Sequence, residues 1–197
     1  MYDLEYIKSV LKNKLPHRRY KHSLGVCESA TWLARKHDAC QSKAEVAGLL
    51  HDYAKYLDGY EARKYIKEFH IQIDEVIDLN IDLAHGLIAA ELIKSEFKIE
   101  DEEILNAVRY HTTGRRGMTS LEKIIYLADY IEPNRRFPGV DEIRNIAKYD
   151  LNRAVLMALD NSIKHVISKG LLIHHNSIFA RNALITEMAS VQSSVEI

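Results

Sequence analysis

Apolar residues in this chain recur at steps of three and four, and only 3 Pro and 8 Gly interrupt its 197 residues. An α-helix turns once every ~3.6 residues, so this spacing gathers apolar side chains on one face, whereas a half-buried strand would alternate them. Leu4, Ile7, Val10 and Leu11 mark a first helix that ends before Pro16, and a second runs from about Tyr20 to His37 with Leu24, Cys27, Leu33 and Ala34 inward. A third starts near Ser42, where Ser42 and Glu45 form a capping box, and carries Val46, Leu49 and Leu50 into His51-Asp52. Short helices follow around residues 59–69 and 74–79, then one over His85–Phe97 and one from near Asp101 that delivers His111. Thr112 to Met118, with two Gly and two Arg, reads as a loop. Thr119 and Glu122 form a second capping box, opening a helix with Ile124, Ile125, Leu127 and Ala128 that ends at Glu132-Pro133. After a loop over Asn134–Gly139, helices at about 141–149, 151–169 and 177–190 complete the chain, with Gly170 capping the second of them. The chain reads as all-α and, with no linker or repeat, as a single domain over residues 1–197.

A domain of this length buries roughly 70% of the surface its unfolded chain exposes, so it needs no disulfide staples. Hydrophobic residues at 47% and charged residues at 28% are ordinary for a soluble protein. With a formal net charge of −1, nothing points to an extended basic surface for nucleic acid, and any anion binding must come from local clusters. Cys27 and Cys40 match no metal motif and read as reduced thiols of a cytoplasmic protein. The opening MYDLEYIKSVLKNKL mixes charge with apolar residues, unlike a signal peptide, and no apolar run approaches the ~20 residues of a membrane span. The expected setting is therefore cytoplasmic, without nucleic-acid or membrane partners; base rates favour a symmetric homodimer.

The chemistry centres on the pair His51-Asp52, with His22, His85, His111 and Asp129 at long range. Imidazole nitrogen and carboxylate oxygen suit Fe, Mn, Co, Ni or Zn. On a helix, His51 and Asp52 project about 100° apart and can reach one ion off that edge. The second oxygen of Asp52 can hold another ion roughly 3.5–4 Å away, and water bound to such ions becomes a nucleophile near neutral pH. One site would then be His22, His51, Asp52 and Asp129, the other His85, His111 and Asp52. The context supports these positions: Asp52 follows the apolar run AGLL and Asp129 sits within IIYLADYI, where an unpaired carboxylate would be costly. His85 and His111 lie near Gly86 and Gly114, where backbone can approach a substrate. His17, His37, His70 and His165 read as solvated, and His174-His175 as part of a surface turn.

The ligand order H…HD…H…H…D resembles the HD-domain phosphohydrolase superfamily. RYKHSLGV at 19–26, AGLLHDYAK at 47–55, HTTGRRGM at 111–118 and LEKIIYLADYIEPNRRFPGVDEIR at 121–144 are similar to the bacterial YqeK-type family of symmetrical diadenosine tetraphosphate hydrolases. The resemblance covers roughly residues 15–185, the expected core of one HD domain. It implies a helical bundle around a dinuclear centre, with iron as the metal. It also implies cleavage of diadenosine tetraphosphate into two ADP, with His22, His51, Asp52, His85, His111 and Asp129 as ligands. LAHGLIAA lacks the Pro expected after its HG pair, and LIHHNSIFARN has His175 where Pro is commoner.

A polyphosphate also needs cations and N–H donors. Lys55 lies one helical turn beyond His51, and with Asp52 it is the candidate for a direct catalytic role. Thr112, Thr113 and Gly114 after His111 suit donation to phosphate oxygens. Arg135 and Arg136 can offer guanidinium forks and Phe137 a ring for a base, while Arg19 and Arg144 are further phosphate candidates. Tyr53 and Tyr130 are expected to pack. The ligand set alone leaves open a phosphohydrolase acting on another nucleotide, because one site serves many substrates. It also leaves open a nucleotide-sensing module in which metal only stabilises the fold.

Overall fold

The computed structural model describes residues 2–195. These contain α1 (Leu4–Lys14), α2 (His17–Lys36), α3 (Gln41–Leu50), α4 (Gly59–Glu68) and α5 (Glu75–Leu79), then a 3-10 turn at Ile81–Ala84. After it come α6 (His85–Phe97), α7 (Glu102–Arg109), α8 (Ser120–Ile131), α9 (Val140–Ile146), α10 (Leu151–Ser168) and α11 (His175–Val195). No strand occurs among the described residues, so the fold is all-α.

Side-chain caps set many of the starts. Asp3, Asp58, Asp74, Asp101, Thr119 and Asp150 each accept a backbone N–H from the first turn of the helix that follows. The full capping box is Asp58 with Glu61, not the pair expected at Ser42 and Glu45. Helix α3 starts two residues earlier than a Ser42 cap would set it, with Cys40 as its N-cap and no side-chain cap, and the Ser42 hydroxyl lies against Cys40 Sγ instead. At α8 Thr119 caps as expected, but the Glu122 carboxylate is held by Arg115 at 2.6 and 2.8 Å. A guanidinium fork is the stronger partner for a buried carboxylate. Helix α2 also begins earlier than the apolar pattern suggests, directly after Pro16, whose fixed φ suits a helix start.

Helix α8 is the axis of the bundle. Leu121 through Ala128 are all buried, Glu122 and Lys123 included, and α2, α3, α7 and α10 pack around it. One continuous apolar core reaches from Ile7 to Leu184. Gly86 permits a close backbone approach near the site: a Cβ there would lie 2.9 Å from the carbonyl oxygens of both Val108 and Arg109. Its role is therefore to let α6 meet the end of α7, rather than to admit a substrate. No described helix is long and apolar enough to cross a membrane.

Candidate metal centre and substrate cleft

Five separate segments deliver the candidate donors to one place. Helix α2 carries His22, the end of α3 carries His51, and the turn that follows carries Asp52. His85 opens α6, His111 sits in the turn after α7, and Asp129 lies on α8. His51 is the αR residue closing α3, so the His-Asp pair stands at a helix end and not within a helix. Ring centroids are 5.1 Å apart for His22 and His51, 5.0 Å for His51 and His111, and 4.8 Å for His85 and His111.

Asp52 divides its two oxygens between two pairs of imidazoles. Its Oδ2 lies 3.8 Å from His22 Nε2 and 3.7 Å from His51 Nε2. Its Oδ1 lies 3.2 Å from His85 Nε2 and 3.7 Å from His111 Nε2. Asp129 joins the first pair, with Oδ1 3.0 Å from His22 Nε2.

The protonation pattern shows what these atoms can hold. His51 Nδ1 faces the Gly48 carbonyl at 2.8 Å, His111 Nδ1 faces Val108 O at 2.7 Å, and His85 Nδ1 faces Asp82 O. A carbonyl only accepts, so each Nδ1 carries the hydrogen and each neutral ring leaves Nε2 bare. Burial keeps two of these rings neutral: it lowers His51 to about 4 and pushes His85 down as well. Yet the bare Nε2 atoms of His85 and His111 are 3.0 Å apart, and lone pairs facing each other so closely call for a cation between them. His22 Nε2 lies 3.2 Å from His51 Nε2; burial works to lower the His22 pKa, but Asp129 and Glu132 outweigh it and raise it, so a cation there would displace a proton. Burial works to raise Asp52 and Asp129, but positive charge or an N–H on the facing imidazoles, His51 first for Asp52 and His22 first for Asp129, holds both well below the usual carboxylate range, helped at Asp129 by Arg135. A bound cation would take the place of those protons. Four imidazoles and two ionised carboxylates therefore fit a first-row transition metal. Two overlapping donor groups of metal-binding size stand out here, His22–His51–Asp129 and His51–Asp52–His111.

Cationic side chains ring this cluster. Arg19 donates to Asp52 Oδ2 at 2.9 Å, and Arg135 reaches Asp129 Oδ1 at 2.6 Å. Lys55 Nζ lies 3.3 Å from His85 Nδ1 and 3.4 Å from Asp82 O. The Thr112 hydroxyl sits 3.3 and 3.2 Å from Nε2 of His85 and His111. Two of the cavities that open beside the cluster are large. One of about 560 Å³ is basic, lined by His17, Arg18, Arg19, Lys21, His22 and Arg135 together with Glu132 and Asn134. The other, about 710 Å³, is more apolar, with Leu83, Tyr130, Phe137, Leu171, Leu172 and Ile173 in its wall alongside Thr112 and Arg135. Tyr130 and Phe137 meet edge to face there at 5.0 Å, so Tyr130 also lines the cleft.

Other expected contacts are turned elsewhere. Arg144 spends its guanidinium on Ile131 O, Glu132 O, Arg135 O and Asp141, which makes it the staple of the α8–α9 loop. Arg136 is exposed and folds back onto Pro133 O and Arg135 O. Gly114 gives its N–H to Tyr110 O, and its φ of +64° and closeness to Ala180 belong to packing against α11. The Thr113 hydroxyl donates to Gly114 O. His174 is buried, not part of a surface turn: its Nε2 lies 2.9 Å from Asp74 Oδ2, which His175 also reaches at 2.9 Å. His37 is half-buried, and its Nε2 meets Ala147 O at 2.8 Å. The sequence reading missed Glu132, whose buried carboxylate holds His22 Nδ1 at 3.2 Å. The available signal was an acid ending the apolar helix that carries Asp129.

The HD domain family model matches residues 19–134, which include all six donors. The chain belongs to the HD-domain family. It is 44% identical to a protein of Halalkalibacterium halodurans named symmetrical bis(5'-nucleosyl)-tetraphosphatase, over 90% of this chain and 95% of that one. A Bacillus subtilis protein of the same name is 41% identical over 89% and 94%. A solved structure from Clostridium acetobutylicum, described as an HD superfamily hydrolase involved in NAD metabolism, superposes with a TM-score of 0.91 at 48% identity, covering 95% of this chain and 99% of that one. An HD-domain member with this donor set is a metal-dependent phosphohydrolase in type.

Proposed function

We propose that this protein hydrolyses diadenosine tetraphosphate symmetrically, giving two ADP, with a dinuclear metal centre and iron as its resident metal. The reading rests above all on Asp52, whose two oxygens face two separate pairs of imidazoles, in a chain 44% identical to a protein named for symmetrical cleavage. When bound, two cations supply Lewis acidity and a water that is deprotonated near neutral pH. The chain's own residues do the rest. His22, His51, Asp52, His85, His111 and Asp129 present imidazole nitrogens and carboxylate oxygens, held in place by backbone carbonyls and by Glu132. Arg19 and Arg135 flank the cluster where the tetraphosphate must lie and offset its charge, and Lys55 stands on the His85 side to meet a leaving phosphate. Thr112 offers a hydroxyl at the same edge. The 710 Å³ cavity, with Phe137 and Tyr130 in its wall, takes one adenosine, and the basic cavity takes charge from the other half. Hydrolysis breaks the central P–O–P linkage: water oxygen ends on one β-phosphorus and the bridging oxygen leaves with the other ADP. Free thiols at Cys27 and Cys40 support a cytoplasmic setting.

The test is product chromatography after incubating protein reconstituted with Fe(II), Mn(II) or Co(II) with diadenosine tetraphosphate. ADP alone is expected. ATP plus AMP, or no turnover with any of the three metals, would overturn the proposal.

A further inference from the structure

Three of the four clustered histidines are oriented in the same way. Each of His51, His85 and His111 turns Nδ1 onto the carbonyl three residues earlier, a neutral partner supplied by its own turn. His22 differs. Its Nδ1 lies 3.2 Å from Oε1 of Glu132, a carboxylate 110 residues away in sequence and 3% exposed. The other oxygen of Glu132 accepts from the Asn134 N–H at 2.7 Å and from the Asn134 side chain at 3.0 Å, so the carboxylate is held on both sides. A buried charge is costly unless it is paired. Among the described residues no Lys or Arg pairs with the Glu132 carboxylate, and its one ionic partner is His22.

The chain makes room for this contact. Gly25 lies on α2 just past His22, and a Cβ there would come within 2.6 Å of Glu132 Oε2. A mid-helix Gly weakens a helix relative to Ala, so a helix carrying one gains little unless something must fit. What fits is the Glu132 carboxylate.

The charges on the two halves of the cluster follow from this arrangement. On the His22 half, Asp52 and Asp129 each already face a guanidinium at contact, Arg19 and Arg135, whereas Glu132 touches none and feels Arg135 only at longer range. On the other half, His85 and His111 have only carbonyls behind them, and the Lys55 ammonium stands 3.3 Å from His85. A carboxylate behind a ligating imidazole raises its basicity and fixes its orientation.

We infer that Glu132 is a positioning residue that acts through His22 and makes the two cation sites unequal, with the His22–Asp129 half the tighter. The inference rests on reading the six donors as a dinuclear metal centre, and the experiment below separates the two. Metal-free protein is titrated with Co(II), and the ligand-field absorption of each equivalent is followed for the parent, Glu132→Gln, His22→Ala and the double variant. The parent is expected to bind two equivalents of unequal affinity. Glu132→Gln should weaken the tighter one by roughly 10–100-fold and leave the weaker one in place. In the His22→Ala background the same change should have no further effect. If the parent shows no nitrogen-ligated Co(II) spectrum, the metal centre itself falls, and this inference with it. If the parent binds two ions but Glu132→Gln weakens both alike, or neither, the inference alone falls. It also falls if the effect persists without His22, because Glu132 would then act through the Asn134 loop. Thermal melts of the metal-free variants check folding: a Glu132→Gln melt well below the parent, with both affinities reduced, assigns Glu132 to the fold and overturns the inference.

Discussion

Asp52 shows how much one residue's surroundings decide. Alone it is half of a common dipeptide; here it is 4% exposed and faced by four imidazoles and a guanidinium. Glu96 offers a contrast outside the site. Its carboxylate takes the Lys14 ammonium at 2.8 Å and the hydroxyl of fully buried Tyr53 at 2.6 Å. Burial works to raise its pKa, but Lys14 and Tyr53 outweigh burial and lower it below the ordinary 4.5. A carboxyl depressed in the folded state stabilises above its unfolded pKa and loses that stabilisation as pH falls through the folded value. Glu96→Gln should therefore cost on the order of 1 kcal/mol at pH 7, the modest figure reflecting partial exposure. The gap between variant and parent should close as pH drops below about 4.5. Denaturant melts at pH 7 and pH 3.5 check this, and a gap that widens in acid would contradict it.

At the scale of elements, the site depends on helix ends meeting. His85 begins α6, His51 ends α3, and His111 follows α7, so small shifts of a helix become shifts of a donor atom. Gly86 marks a tight junction of this kind, with its notional Cβ 2.9 Å from two carbonyl oxygens and 3.3 Å from His111 Nδ1. Gly86→Ala forces α6 away from the end of α7. Overpacking of this kind costs about 1–3 kcal/mol. In a chain of this size that lowers Tm by roughly 2–10 °C. Activity should fall more than stability implies, since displacing a donor by about 1 Å can cost ~100-fold in rate. A melt and a rate assay on the same preparation test both parts; an unchanged Tm would show that the junction gives way freely.

For the whole molecule, the donors come from segments spread from His22 to Asp129 and converge only in the folded state. A ligand that binds only the folded form stabilises it by about 2.7 kcal/mol at 100 times its Kd. Stripping metal with a chelator should thus lower Tm by roughly 5–10 °C, and restoring Co(II) should reverse the change. A Tm indifferent to chelation would mean that the cluster is held by the apolar core alone.

The helices were legible because their signals are local: apolar spacing, Asp and Thr caps, and Pro16 and Gly170 as punctuation all act within a few residues. The donor residues were legible because ligand chemistry is intrinsic to His and Asp, and an acid inside IIYLADYI needs a partner wherever the chain goes. Local signals misled where two partners competed over distance. Glu122 left its capping box for Arg115, and Arg144 went to loop carbonyls instead of the cleft. Buried His174 found Asp74, a hundred residues away in sequence. Glu132 behind His22, and the division of Asp52 between two imidazole pairs, belong to the tertiary structure alone. The physical reason is that a residue type states what an atom can bind, whereas packing of distant helices decides which atoms come within 3 or 4 Å of it.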